Sequence, residues 1–158
     1  MARWVEVEQE QPGLAGRARE LLTARTHLVL ATLRSDGSPR ASGTELVVQD
    51  GDLWLAGMPG SLKLRDLRRD ARFALHSGSE DPPAWRGDAK VAGRAVEVVD
   101  EAALAAFLPE GEEAPGGSFE LFRLDLTEVV VVRLGEPADH LVIESWHEGR
   151  GTTTVERR

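Results

Sequence analysis

Apolar and polar residues alternate along much of this chain with the two-residue period of half-buried β-strands. Seven segments have this character: 27–33, 40–48, 52–56, 72–77, 88–99, 119–134 and 140–147. Asp-Gly turns follow the first two, at Asp36-Gly37 and Asp50-Gly51, and such pairs are typical of tight hairpins. The strands therefore come mostly as consecutive hairpins, which predicts antiparallel pairing.

Some predicted strands are apolar on both faces, notably 28–33 and 129–132. A single open sheet would leave one of those faces in water and would expose two unpaired edges. Closure into a small barrel with helices packed outside removes both problems. The pattern therefore predicts a mainly β fold with peripheral helices, built around an antiparallel barrel.

Three short helices are expected. The first spans 14–25, with Leu14, Ala18, Leu21 and Leu22 on one face. The second spans 61–70, and the third runs from an Asp100 cap to residue 107. We expect one domain over 1–158, with its core in 27–147 and a polar, mobile tail at 148–158.

Composition narrows the function classes. The chain has no cysteine, which excludes disulfides, thiolate ligands and cysteine nucleophiles. Its formal net charge of −8 argues against a general nucleic-acid binder. No apolar run approaches a membrane span, and the charged N-terminus lacks a signal core. We expect a cytoplasmic protein with no nucleic-acid or membrane partner, and the histidine spacing suggests no metal site.

The most informative segment is the loop from Gly57 to Lys63. It follows a predicted strand and opens a predicted helix, an arrangement that can present backbone N–H groups to an anion. Ser61 is placed to cap the helix. Lys63 is one of only two lysines, with Lys90, in a chain that otherwise uses arginine. A bound phosphate would explain these features together, whereas the alternative is a capped turn with a solvated lysine.

Four arginines follow this loop, at 65, 68, 69 and 72. They could form a basic groove for an anionic tail. We favour instead a solvated helix face neutralised by Asp66 and Asp70 at helical spacing. Trp85 and Trp146 could either stack on a ligand or cover the barrel end.

Six segments in order carry a resemblance to a known family: Leu30-Ala31-Thr32-Leu33, Asp36-Gly37-Ser38-Pro39-Arg40, Trp54-Leu55-Ala56-Gly57, Gly60-Ser61-Leu62-Lys63, Asp66-Leu67-Arg68-Arg69-Asp70 and Gly93-Arg94-Ala95. In this order they resemble the pyridoxamine 5′-phosphate oxidase-like family, whose members are split β-barrels that bind flavins or deazaflavins. The likeness runs from about residue 27 to 99, and more loosely to 134. It implies an antiparallel split β-barrel of the FMN-binding type.

The resemblance also implies a cofactor site and a homodimer with two such sites at its interface. Ser61 and Lys63 would hold the cofactor phosphate, and the isoalloxazine would lie along 40–44, held by backbone groups and Ser42. The implied cofactor-binding residues are Arg40, Ala41, Ser42, Gly43, Gly57, Met58, Ser61, Leu62 and Lys63. No side chain is assigned as catalytic.

Two features depart from the family. Gly43 stands where members often have proline or another residue, and Glu45 is unusual. If it faced the ring, the Glu45 carboxylate would disfavour an anionic reduced flavin; we expect it to point outward and pair with an arginine. The C-terminal segment 144–151 contains Trp, His and Arg, but not in the pattern of the true oxidase, so a vitamin B6 substrate is not carried over.

We therefore expect an oxidoreductase that binds FMN and a small-molecule substrate, the protein supplying binding and orientation. The deazaflavin F420 is the alternative cofactor, disfavoured because F420-binding members often carry a further basic residue before the loop lysine. A flavin-storing protein without turnover and a pyridoxal phosphate carrier are the rival functions.

Overall fold

A computed structural model describes residues 1–109, 111–113 and 117–158. In chain order the elements are α1 (Trp4–Glu10), α2 (Pro12–Thr23), β1 (Leu28–Leu33), β2 (Pro39–Thr44), β3 (Val47–Gln49), β4 (Asp52–Gly57), α3 (Leu62–Arg69), β5 (Arg72–His76), β6 (Asp88–Val98), α4 (Glu101–Phe107), β7 (Glu120–Leu134), β8 (Leu141–His147) and β9 (Gly151–Arg157). None of the helices in these ranges has the length and apolar character needed to cross a membrane.

The nine strands form one antiparallel sheet in the order β2-β1-β5-β6-β7-β4-β3, and β8 and β9 extend it from β7. The two ends of the main path, β2 and β3, are consecutive in the chain, yet no hydrogen-bonded ladder joins them in the described ranges. The prediction of an antiparallel split β-barrel is confirmed. Closure of the sheet by hydrogen bonds is not confirmed. The predicted strand 40–48 is divided at Glu45-Leu46 into β2 and β3, which form the two ends of the sheet.

The core lies between the inner face of the sheet and the two N-terminal helices. From α2 it takes Leu14, Ala15, Ala18 and Leu22, so the apolar face predicted for this helix is confirmed apart from Leu21, which is partly buried against the core. From α1 it takes Trp4 and Val7. The longest strands, β6 and β7, carry most of the packing against α2.

Two elements were missed from the sequence. The charged segment 4–10 forms α1, whose short apolar face is completed only by packing. The tail predicted to be mobile forms β9, which pairs along its whole length with β8. The tight turn before β9 uses Gly149 and Gly151 at φ 72° and 73°, a conformation that favours glycine. The side chains of β9 are largely exposed, so no hydrophobic pattern in the sequence indicated this strand.

Trp146 neither stacks on a ligand nor covers the barrel end. Its side chain is 1% exposed within the core, and its indole Nε1 donates to Glu10 Oε1 at 3.1 Å.

The third predicted helix is present as α4, and its predicted cap is confirmed, since the Asp100 carboxylate accepts from the Ala103 N–H at 2.8 Å. The segment 109–117 is rich in acidic residues, Gly and Pro and has no periodicity, which predicts a surface loop, but residues 110 and 114–116 of it lie outside the described ranges.

Gly93 sits at an irregularity between β6 and β7. Ala92 pairs with Glu128 while Gly93 pairs with Leu126, so Thr127 is an extra residue on β7 and forms a β-bulge. A Cβ placed on Gly93 would lie 1.9 Å from the Asp125 carbonyl oxygen. The two backbones therefore approach too closely for any other residue.

We predict that Gly93→Ala lowers the free energy of unfolding by about 2–3 kcal/mol, because the added methyl must push two central strands apart. Gly16→Ala is the matched control: nothing lies within 4 Å of its Cβ position, and it sits within α2, where alanine stabilises by up to about 1 kcal/mol. Urea denaturation measures both. Equal stability of the two variants would contradict the close approach.

Candidate functional site

Helix α3 brings together the two segments predicted to hold the cofactor. At its start, Lys63 Nζ donates to the Gly43 carbonyl oxygen of β2 at 2.8 Å. One turn further on, Asp66 accepts from Arg40 Nε, also on β2, at 2.6 Å. The helix α3 and the strand β2 therefore run antiparallel. The Gly57–Lys63 loop lies next to the C-terminal end of β2.

Lys63 is the cation at the centre of this junction. Burial lowers the pKa of its ammonium, and the nearby charge of Glu45 acts in the opposite direction. Its hydrogen-bond partner in the described chain is a neutral carbonyl. A partly desolvated ammonium without a carboxylate in ion-pair contact favours an added anion.

Ser61 occupies the N-cap position of α3, with φ −61° and ψ 144°, but its side chain makes no capping hydrogen bond. The predicted side-chain cap is therefore wrong. The Ser61 hydroxyl oxygen is instead buried, without a hydrogen-bond partner among the residues that the structure describes. Buried hydroxyls are nearly always satisfied, so this one marks hydrogen-bonding capacity left over at the start of α3.

The helix start also supplies backbone donors. The first helical hydrogen bond joins Arg65 N–H to the Ser61 carbonyl at 3.0 Å, so the N–H groups of residues 62–64 precede the helical ladder.

The loop offers fewer unbonded N–H groups than predicted, because Gly60 N–H donates to Glu120 Oε1 at 3.2 Å. The other Glu120 oxygen lies 3.0 Å from Arg68, which balances its charge. Glu120 carried no local sequence signal, since β4 and β7 are brought together only in the folded sheet.

The other loop residues have distinct environments. Gly57 lies under the helix, where a Cβ would be 2.9 Å from the Leu64 side chain. Met58 and Leu62 are 77% and 55% exposed. These two side chains are therefore open to a ligand or to a second chain.

Asp66 is the residue that fixes this arrangement, whereas the sequence singled it out only as a charge partner for nearby arginines. Its carboxylate is 4% exposed and accepts from Thr32 Oγ1 at 2.9 Å, from Arg40 Nε and from Arg69 Nη2 at 3.1 Å. Burial alone would raise the pKa of Asp66, but the hydrogen bonds from Arg40, Thr32 and Arg69 outweigh it and hold the pKa below the ordinary value.

The predicted residues on β2 are divided between two faces of the sheet. Arg40, Ser42 and Thr44 are half-buried or buried, while Ala41 and Gly43 are exposed, as strand alternation requires. Only the first set shares the side of α3. Any contact by Ala41 or Gly43 to the same ligand must therefore come from the backbone.

Glu45 is exposed, as expected, but its predicted pairing with an arginine is wrong. No arginine forms an ion pair with it in the described part of the chain, and its charge acts on Lys63 instead.

The four arginines after the loop do not behave alike. Arg68 binds Glu97 at 2.5 Å, Arg72 binds Asp70 at 2.6 Å and Arg69 binds Asp66. Arg65 makes no side-chain hydrogen bond or ion pair to a described residue. The predicted neutralisation by Asp66 and Asp70 is confirmed for Arg69 and Arg72. Arg68 pairs instead with Glu97 and Glu120, and Arg65 lines a cleft together with Arg69.

Within the described ranges, no group of three His, Asp or Glu side chains is arranged to hold a metal ion. The site is therefore built from one lysine, arginines, a serine hydroxyl and backbone donors, a set suited to oxyanions.

A family model described as pyridoxamine 5′-phosphate oxidase matches residues 14–133. The chain belongs to this family. The match includes both segments of the site, β2 and the Gly57–Lys63 loop. No curated protein sequence gives a significant match.

Solved structures of the same type share the fold at low identity. PhzG from Burkholderia lata, in complex with tetrahydrophenazine-1-carboxylic acid, is 16% identical, with a TM-score of 0.61 over 100% of this chain and 93% of that one. A pyridoxamine 5′-phosphate oxidase-related, FMN-binding protein from Nostoc punctiforme is 16% identical, with a TM-score of 0.62 over 96% of each chain. General stress protein 26 from Bacillus anthracis is 16% identical, with a TM-score of 0.58 over 73% and 91%. At these identities the likeness establishes the fold alone.

We predict that Asp66→Ala lowers the free energy of unfolding by about 3 kcal/mol, because it leaves Arg40 half-buried without its carboxylate. Since the folded-state pKa of Asp66 is lowered, its contribution is complete above about pH 4, the ordinary aspartate value. That contribution is lost as the pH falls through the lower folded-state pKa. The difference between parent and variant should therefore narrow on acidification.

Asp70→Ala is the control for this comparison, because the Asp70–Arg72 pair lies on the surface and such pairs add little stability. Denaturant titrations at several pH values test both variants. A gap between parent and Asp66→Ala that widens on acidification would contradict the assigned role.

Proposed function

We propose that this chain binds a flavin through its phosphate, with FMN as the cofactor, and transfers electrons or hydride between it and a small molecule. The observation that carries the proposal is the meeting, at the start of α3, of a partly desolvated Lys63 with a buried Ser61 hydroxyl that has no partner in the described ranges. Family membership and the FMN-binding Nostoc punctiforme protein of the same fold support it.

The residues present fit a flavin phosphate. Lys63 would donate a charged hydrogen bond, Ser61 a hydroxyl, and the N–H groups of residues 62–64 the helix-start donors. Arg40 and Ser42 lie on the same side of β2 and would hold the ligand along that strand. Electron and hydride transfer would be supplied by the flavin itself, while these residues bind and orient it.

The rival function is flavin storage without turnover, and F420 is the alternative cofactor. An absorption spectrum of the purified protein identifies a bound flavin. Bleaching by NADPH followed by reoxidation with an added acceptor supports the enzyme, whereas a flavin that stays oxidised under these conditions favours storage.

We predict that Lys63→Ala weakens cofactor binding about ten- to a hundredfold, since a charged hydrogen bond to phosphate contributes roughly 1.5–3 kcal/mol. Ser61→Ala should cost less, because the backbone donors remain and no capping bond is lost. The measurement is fluorescence titration of each variant with FMN and with F420 at fixed salt.

Arg150→Ala, which removes an exposed cation in the turn before β9, is the control and should bind like the parent. A folded Lys63→Ala protein that binds both cofactors as tightly as the parent would place the phosphate elsewhere.

A homodimer is the second part of the proposal, and one face of the sheet supports it. Four alanines lie side by side across four strands: Ala41 on β2, Ala31 on β1, Ala74 on β5 and Ala92 on β6. Their side chains are exposed or half-buried, and Val29 beside them is 51% exposed. Such a flat, small-residue face on the outer side of β2 suits a second copy, which would also cover the edge of the cofactor site.

We predict a dimer at micromolar concentration by light scattering, with an apolar interface of more than about 2,000 Å². Ala74→Arg should dissociate it, because a long charged side chain cannot fit a close-packed face. Thr153→Arg, on the exposed strand β9, is the control and should leave the dimer intact. A monodisperse monomer in the parent protein would rule the dimer out.

A further inference from the structure

A groove of about 660 Å³ runs along one side of α4, between that helix and the segment that leads into β7. Grooves of this size commonly hold small molecules. The lining, here called the acidic groove, combines the apolar side chains Leu104, Leu108 and Phe119 with the carboxylates Glu101, Glu112 and Glu113. None of these residues belongs to the proposed flavin site.

The apolar side of the acidic groove is fixed in place but incompletely covered. No residue of α4 is buried, and Leu104 and Leu108 are only half-buried. Phe119 is also half-buried, and its ring packs against Phe107 with 5.9 Å between the centroids. Phe107 in turn packs against Trp54, at 5.7 Å. A half-exposed ring held in this way offers a ligand both apolar contact and a cation–π surface.

The charge of the acidic groove is negative and is not neutralised by contacts within the described ranges. Glu101, Glu112 and Glu113 are exposed, and no described cation lies within ion-pair distance of their carboxylates. The neighbouring chain positions outside the described ranges carry no basic side chain, since they are Glu110, Ala114, Pro115 and Gly116. The three carboxylates are therefore available to a cation.

Only one of these carboxylates has an evident role in the fold. Glu101 lies in the first turn of α4, where negative charge stabilises a helix. Glu112 and Glu113 belong to no helix or strand. Two adjacent carboxylates repel each other, and beside apolar side chains they are best accounted for by a ligand that brings positive charge.

We propose that the acidic groove binds a small organic cation. Its aromatic or aliphatic body would pack on Leu104, Leu108 and Phe119, and its charged nitrogen would meet Glu112 and Glu113. A metal ion would leave the apolar wall unused, and no group of three acidic or histidine side chains in the described ranges is arranged to hold one. The inference does not depend on the proposed flavin site.

The test is isothermal titration of the parent protein with 1-naphthylmethylammonium and with 1-naphthoate, which share an aromatic body and carry opposite charges at neutral pH. The parent should bind the cationic probe at one site per chain, and about tenfold or more tightly than the anionic probe. The double variant E112Q/E113Q should bind the cationic probe about tenfold more weakly, because both carboxylates become neutral amides of nearly the same shape.

The charge-matched control is E20Q/E136Q, which removes two exposed carboxylates on α2 and in the β7–β8 turn and should bind both probes like the parent. An equal loss in the two double variants overturns the inference, because binding would then follow the net charge of the chain. Equal affinities of the parent for the two probes, or no saturable binding of the cationic one, also overturn it. Each of these results leaves the proposed flavin site standing, because none of these glutamates belongs to it.

Discussion

The buried carboxylate of Asp66 is the contact on which the site depends. It joins α3 to β1 through Thr32 and to β2 through Arg40, and it also binds Arg69 within its own helix. Because α3 is only two turns long, its position over the sheet cannot come from helix propensity. The Asp66 contacts, with the buried Leu64 and Leu67, hold its first turn next to Gly43.

The same contact decides how charge is distributed. The Asp66 carboxylate accepts hydrogen bonds from Nε of Arg40 and from one terminal nitrogen of Arg69. The carboxylate is thereby satisfied, while the other nitrogens of both guanidinium groups are left for other partners. Glu120 acts in a similar way at the loop, taking the Gly60 N–H and lying beside Arg68. An acidic protein thereby presents a cationic surface along one side of a single short helix. Such a local positive field would attract anions although the net charge of the chain would repel them.

Local sequence signals predicted the parts of the fold that depend on local physics. The α2 face, the Asp100 cap and the long strands β6 and β7 follow from periodicity and capping residues, and the loop lysine stood out against an arginine background. Other features come from residues far apart in the chain. Asp66 meets Thr32 across 34 positions, and Glu120 meets Gly60 across 60. Arg34 and Arg65 line the same cleft only because α3 lies over the β1–β2 turn. The predicted Ser61 cap was also wrong: the residue has the extended N-cap conformation, but its hydroxyl makes no capping hydrogen bond.

The central claim is that the phosphate of a flavin is held at Lys63 and Ser61, and the phosphate's own contribution measures this most directly. Riboflavin carries the same ring as FMN without the phosphate, so equilibrium titration of the parent protein with both isolates that group. We expect FMN to bind about a hundredfold or more tightly than riboflavin, because one charged hydrogen bond and several neutral ones are lost together. Equal affinities for FMN and riboflavin would contradict the account.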